Sequence, residues 1–191
     1  MNIGVLGLQG DYAAHGHMLE GLDCPWSIVK KPEQLSQVDG LIIPGGESTT
    51  LIKLMDSWDF WQPLQDFANA GKPLLGTCAG LIILAKEVRN PAQKSLGVID
   101  LVVERNSYGR QIDSFEGTGT FAANGTDARL SMIFIRAPRI LQLGEKVQEL
   151  GHCNGDCVIA QQDNVLVVSF HPELTEDLTV HRYLVGMAQA K

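Results

Sequence analysis

Long apolar runs are missing from this 191-residue chain. No stretch approaches the roughly 18 consecutive apolar residues that a membrane-spanning helix needs, so membrane insertion is not expected. Basic runs are missing as well. The formal net charge is −7, which argues against a sequence-independent nucleic-acid binder or a protein held on anionic lipid, since both need a basic face. The opening segment MNIGVLGLQGDY lacks the charged and long apolar regions of a secretory signal. Cysteine is sparse: Cys24, Cys78, Cys153 and Cys157 are expected to remain thiols in a cytoplasmic protein rather than to form a disulfide framework. Internal repeats and low-complexity tracts are absent too, which excludes solenoids and propellers. Hydrophobic residues make up 45% of the chain and charged residues 19%, a balance that excludes disorder and suggests extensive buried strands. The length suits a single domain over residues 1–191.

The pattern of what remains alternates. Apolar runs at 3–8, 26–29, 40–43 and 72–76 read as strands, the first of them central in its sheet. Helical periodicity follows over 11–22, 49–57, 60–70 and 80–88. Gly71 stands where a helix C-terminal glycine is expected. Strand and helix in alternation imply an α/β fold: a three-layer sandwich with a mainly parallel central sheet and helices on both faces. After residue 97 the texture changes to short strand-like runs at 98–104, 117–121, 132–135, 157–160 and 165–169, so extra strands are expected in the second half. Cys153 and Cys157 flank a glycine-containing hairpin candidate. Thr175, with Glu176 and Asp177 behind it, resembles the N-cap of a closing amphipathic helix.

Gly76-Thr77-Cys78-Ala79-Gly80 sets a cysteine between an apolar strand and a helix, with a glycine two residues to either side. This is the pattern of a nucleophile elbow with sulfur in place of the serine oxygen, and a helix N-terminus favours the thiolate. A small buried structural cysteine is the competing reading. A cysteine hydrolase needs a general base and a group to orient it. Among five histidines, His171 follows the run Val165-Leu166-Val167-Val168-Ser169-Phe170, at the carboxyl edge where active sites of open α/β sheets gather. Glu173 lies within reach of its ring. His15, His17 and His181 fall on helices and read as solvated or capping residues. Pro44-Gly45-Gly46-Glu47-Ser48-Thr49 leaves amides bare enough for an oxyanion loop; it lacks the lysine and spacing of a phosphate loop. His152 with Cys153 and Cys157 supplies three local ligands where zinc usually takes four, so no metal is expected.

Taken together, GVLGLQGD, LIIPGGEST, GTCAGLIILA, VERNSYGRQIDSFE, FIRAP and SFHPELTED, spread from residue 4 to 177, resemble the class I, triad-type glutamine amidotransferases. The likeness is closest to the glutaminase subunits of pyridoxal 5′-phosphate synthases; RNSYGRQ and FIRAP separate that branch from other glutaminases. The resemblance implies Cys78 as nucleophile, His171 as base and Glu173 as its orienting carboxylate. It implies oxyanion donors at Gly46 and Ala79, and a glutamine site formed by Gly46, Glu47, Ser48, Arg105, Ile135 and Arg136. It further implies L-glutamine as substrate, no cofactor, and a synthase (lyase) partner in a large hetero-oligomer that the N-terminal face helps to dock. A cysteine peptidase of related fold and a non-catalytic regulatory module are the alternatives.

Overall fold

The computed structural model describes residues 1–105, 114–123 and 125–190; the RNSYGRQ motif therefore lies, apart from Arg105, outside the described residues. A seven-stranded sheet forms the middle layer, in the order β10-β11-β12-β4-β3-β1-β2. Five of its strands run parallel: β1 (Ile3–Leu6), β2 (Trp26–Val29), β3 (Gly40–Ile43), β4 (Leu74–Thr77) and β12 (Val165–Val168). The antiparallel strands β11 (Asp156–Gln162) and β10 (Gln148–Cys153) extend one edge. A three-stranded sheet of β5 (Ala85–Arg89), β6 (Ile99–Glu104) and β9 (Arg139–Leu143), and a hairpin of β7 (Phe115–Ala123) and β8 (Thr126–Phe134), are the additional strands of the second half.

The side-chain alternation of the parallel strands builds the layers. Ile3, Val5, Ile42, Leu75, Leu166 and Val168 point to one face and pack with Leu19 of α1 (Tyr12–Glu20) and with Val180 and Leu184 of α5 (Thr179–Gln189). Leu41, Ile43, Leu74, Val165 and Val167 point to the other, against Leu51 and Met55 of α2 (Ser48–Ser57), Leu64 and Phe67 of α3 (Trp61–Asn69), and Leu81 and Leu84 of α4 (Ala79–Leu84). A strand buried on both faces reads as a continuous apolar run, which is why these runs are so plain in the sequence.

Several elements depart from the sequence reading. The first strand is not central: β1 lies next to the edge strand β2, and β4 occupies the middle of the sheet. The helix expected over 80–88 stops at Leu84, and the chain continues as β5. A register shift between Ala85 and Glu87 accompanies burial of Ala85 and Val88, so two apolar residues three apart mimic helical spacing within a strand. The closing helix starts at Thr179, not near Thr175. Thr175 Oγ1 accepts from the Asp177 amide and Asp177 Oδ1 from the Thr179 amide, so this stretch forms local turns ahead of α5. β9 lies outside the expected strand runs, and so does β10 apart from its end at the 153–157 hairpin. The 153–157 hairpin is present, turning through Asn154 and Gly155, both at positive φ as a two-residue type I′ turn requires.

Candidate active site

β4 and β12 pair in parallel with Thr77 opposite Val168, so both chains leave the sheet at its carboxyl edge side by side. Cys78 is the first residue beyond β4. Its amide donates to Val168 O at 2.9 Å, and its backbone stands at φ 48°, ψ −100°. A non-glycine residue there carries strain of about 1–3 kcal/mol, and such strain concentrates at functional positions. The surrounding packing enforces it: a Cβ on Gly80 would lie 2.0 Å from the carbonyl oxygen of Ile43, so α4 crosses the end of β3 at a distance open only to glycine. Cys78 is 5% exposed, and as the residue preceding α4 it lies beside first-turn amides that have no intrahelical partner, that of Ala79 among them.

His171 leaves β12 three residues after the ladder ends, and its amide is held by Ile133 O at 2.8 Å. Pro172 opens a short 3₁₀ turn, Pro172–Leu174, that brings Glu173 back beneath the ring: His171 Nδ1 and Glu173 Oε1 are 2.7 Å apart. Cys78 lies on the same pocket wall, with Gly45 packed against both it and the ring. Burial alone would push the His171 pKa down, but the neighbouring Cys78 and Glu173 outweigh it and raise it to about 10. The arrangement favours a positively charged ring.

Gly45 and Gly46 complete the site from the end of β3. Gly46 has φ 137°, a conformation that L side chains rarely adopt. Gly45 lies against the His171 ring and Cys78. Gln9, from the loop after β1, packs on Gly46 and accepts from the Glu47 amide at 3.1 Å. Glu47 caps α2, accepting from the amides of Thr49 and Thr50. Its carboxylate also faces Arg105 Nη2 at 3.5 Å. Slight burial would raise its pKa, but the hydrogen bonds from Thr49 and Thr50 bring it down to about 2. A pocket of about 110 Å³ is lined by Gly46, Glu47, Ser48, Cys78, Ile82, Arg105, Ile135, Arg136 and His171. All six residues expected around glutamine line it; Ile82, on the first turn of α4, was not foreseen. A groove of about 730 Å³ lies at the opposite, amino edge of the strands, near Pro73 and Asn164. It is larger, but Cys78, His171 and Glu173 are not among its lining residues.

His15 and His181 overturn the sequence reading. Both side chains are fully buried: on α1 and α5 they face the sheet, not solvent. His15 Nε2 stands 3.4 Å from the second oxygen of Glu173, to which no hydrogen bond is formed, and its Nδ1 is hydrogen-bonded with His181 Nε2 at 2.9 Å. The signal that could have found them is their spacing. His15 precedes Met18 and Leu19, and His181 precedes Leu184 and Val185, so each heads an i, i+3, i+4 stripe of core-facing residues. His17, by contrast, is exposed and pairs with Glu20. At the 153–157 hairpin, burial raises the Cys157 pKa to about 12, and among the described residues no cluster of histidine, cysteine and acidic side chains could hold a metal ion.

A strained cysteine in a strand-to-helix elbow, facing a histidine held by a carboxylate, is the constellation of a cysteine-dependent amide hydrolase on an α/β sheet. The comparisons narrow this class. The sequence matches the profile of the SNO glutamine amidotransferase family over residues 5–190, and the chain belongs to that family. It is 51% identical to the pyridoxal 5′-phosphate synthase subunit PdxT of Bacillus velezensis, covering 99% of this chain and 95% of the relative. It is 49% identical to that of Thermotoga maritima, covering 99% and 100%. A crystal structure of a glutamine amidotransferase superposes with a TM-score of 0.91 at 42% identity over 98% of each chain. The PurLQS structure from Thermotoga maritima, at 15% identity and TM-score 0.74, shares the fold.

Proposed function

We propose that this chain is the glutaminase subunit of a pyridoxal 5′-phosphate synthase, hydrolysing L-glutamine to L-glutamate and ammonia for vitamin B6 synthesis. The observation that carries the reading is Cys78 at positive φ sharing one pocket with His171, whose Nδ1 is hydrogen-bonded to Glu173. Cys78 thiolate attacks the side-chain amide carbon of glutamine, and the oxyanion that forms is met by the amides of Gly46 and Ala79. Imidazolium His171 gives its proton to the departing nitrogen as the C–N bond breaks, leaving a γ-glutamyl thioester and ammonia. His171 then takes a proton from water, which attacks the thioester, and the thiolate leaves as glutamate is released. Glu173 keeps the imidazole in the tautomer whose free nitrogen faces the thiol. Glu47, Ser48, Ile135 and Arg136 position the substrate, and Arg105 is suited to its α-carboxylate because its planar fork matches carboxylate geometry.

The ammonia passes to a synthase (lyase) partner within a large hetero-oligomer in the cytoplasm, so the chain itself uses neither cofactor nor metal. No helix among the described residues is long and apolar enough to cross a membrane. The test is Cys78→Ala in the reconstituted complex. Glutamine-dependent synthesis is lost and synthesis from added ammonium salts persists; loss of both, or retention of both, would refute the division of labour.

A further inference from the structure

The buried pair of histidines lies behind the site just described and takes no part in the chemistry proposed for it. His15 Nε2 stands 3.4 Å from Glu173 Oε2 and 3.4 Å from Thr77 Oγ1, while its Nδ1 is 2.9 Å from His181 Nε2. Four elements meet there: α1, α5, the end of β4 and the 3₁₀ turn that carries Glu173. Thr77 is the residue next to Cys78, so one imidazole touches both the carboxylate behind the base and the strand end beneath the nucleophile.

The proton positions follow from the acceptors. Glu173 Oε2 is buried with no hydrogen bond formed to it, and His15 Nε2 stands 3.4 Å away; a carboxylate oxygen can only accept, so the assignment that serves it puts hydrogen on Nε2, with Thr77 Oγ1 as the other group in reach of that hydrogen. With Nε2 protonated, His15 Nδ1 is a bare acceptor, and His181 must donate to it through its own Nε2–H. His181 Nδ1, which has no hydrogen-bond partner among the described residues, is then a lone pair rather than an unpaired N–H. The reverse assignment would set a lone pair against the carboxylate and leave a buried N–H unmet at His181, and both cost free energy. Both rings are held neutral. Burial, aided by the charges of His181 and His171, pushes the His15 pKa well below its ordinary value, and burial brings that of His181 down to about 4.

We propose that His15, fixed in its Nε2–H tautomer by His181, is a positioning residue that holds the second oxygen of Glu173 and so extends the Cys78–His171–Glu173 row into a five-membered chain. Neutrality is what suits it to the task. A cation at this position would compete with imidazolium His171 for the Glu173 charge, whereas a neutral donor fixes the carboxylate and leaves its charge to the catalytic ring. The proposal rests on the glutaminase reading for its consequence in rate, but its proton arrangement can be tested without it.

The experiment has two parts. In the assembled synthase, His15→Leu lowers kcat for glutamine hydrolysis about tenfold to a hundredfold, the usual cost of removing a group that orients a functional side chain, with KM changed less than about twofold. His15→Gln, which can still donate an amide N–H toward Glu173, recovers most of that loss. Equal loss in both variants, or none in either, would overturn the proposal, as would a loss that follows thermal stability alone. The second part needs no substitution: heteronuclear NMR of the histidine-labelled wild-type chain at neutral pH shows hydrogen on His15 Nε2 and His181 Nε2. Hydrogen on His15 Nδ1 would overturn the proposal even if every variant fails to fold, and it would leave the assignment of Cys78 as nucleophile untouched.

Discussion

The crossing of α4 over β3 offers a sharp perturbation. In Gly80→Ala the new Cβ would start 2.0 Å from Ile43 O, a backbone atom that cannot swing aside. Ordinary contact begins at 3.4 Å, so the elbow and the end of β3 must separate by roughly 1.4 Å, the difference between those distances. Overpacking of this kind costs about 1–3 kcal/mol. At the 2–4 °C per kcal/mol that applies to a chain of this size, the melting temperature falls by about 2–12 °C. The larger effect is on chemistry. Ile43 directly precedes the Pro44-Gly45-Gly46 loop and Gly80 lies two residues beyond Cys78, so the shift moves the proposed oxyanion loop away from Cys78. Misplacement by about 1 Å can cost a hundredfold in rate, and kcat/KM for glutamine is expected to fall by about that factor while the chain remains folded. Steady-state ammonia release in the assembled complex, set beside a thermal melt, measures both. Wild-type kcat/KM in a variant with an unchanged melting temperature would show that the contact is not rigid and would refute the reasoning.

Two further outcomes follow from the His171–Glu173 pair. Glu173→Gln is expected to lower kcat by about 10²–10⁴-fold with little change in KM, because an amide cannot face both His171 and His15 with acceptors and one orientation enforces the wrong His171 tautomer; a loss below tenfold in steady-state assays would contradict the orienting role. The pH dependence of stability has a definite sign: the folded-state pKa of His171 lies above its unfolded value, so its contribution is fully present below about pH 6.5 and is lost as pH rises toward about 10. Denaturant melts of wild type and His171→Ala should therefore converge at high pH, and a gap that widens there would contradict the assignment.

Much of this was legible in the residues. β1, β2, β3, β4 and β12 are buried on both faces and announce themselves as apolar runs, and because Cys78, His171 and Gly46 follow such runs, their place at the carboxyl edge could be read directly. β9 and β10 could not. β9 buries only Ile140 of its five residues, and β10 changes register twice against its partner, so neither carries a clean alternation. The buried histidines were hidden by a habit of reading: a polar residue on a helix is taken as solvated, although the stripes that follow His15 and His181 place both toward the core. Glu173 lay between these cases. Its distance in sequence from His171 made contact feasible, but only the 3₁₀ turn fixes which oxygen meets which ring.

The left-handed backbone of Cys78 has a consequence for the history of the molecule. Any L residue at that position stores conformational energy that a glycine would release, so the most stable version of this elbow is one without a nucleophile. Stability and turnover therefore pull in opposite directions at a single codon, and a lineage released from the need for ammonia would be expected to lose the cysteine early and keep the fold.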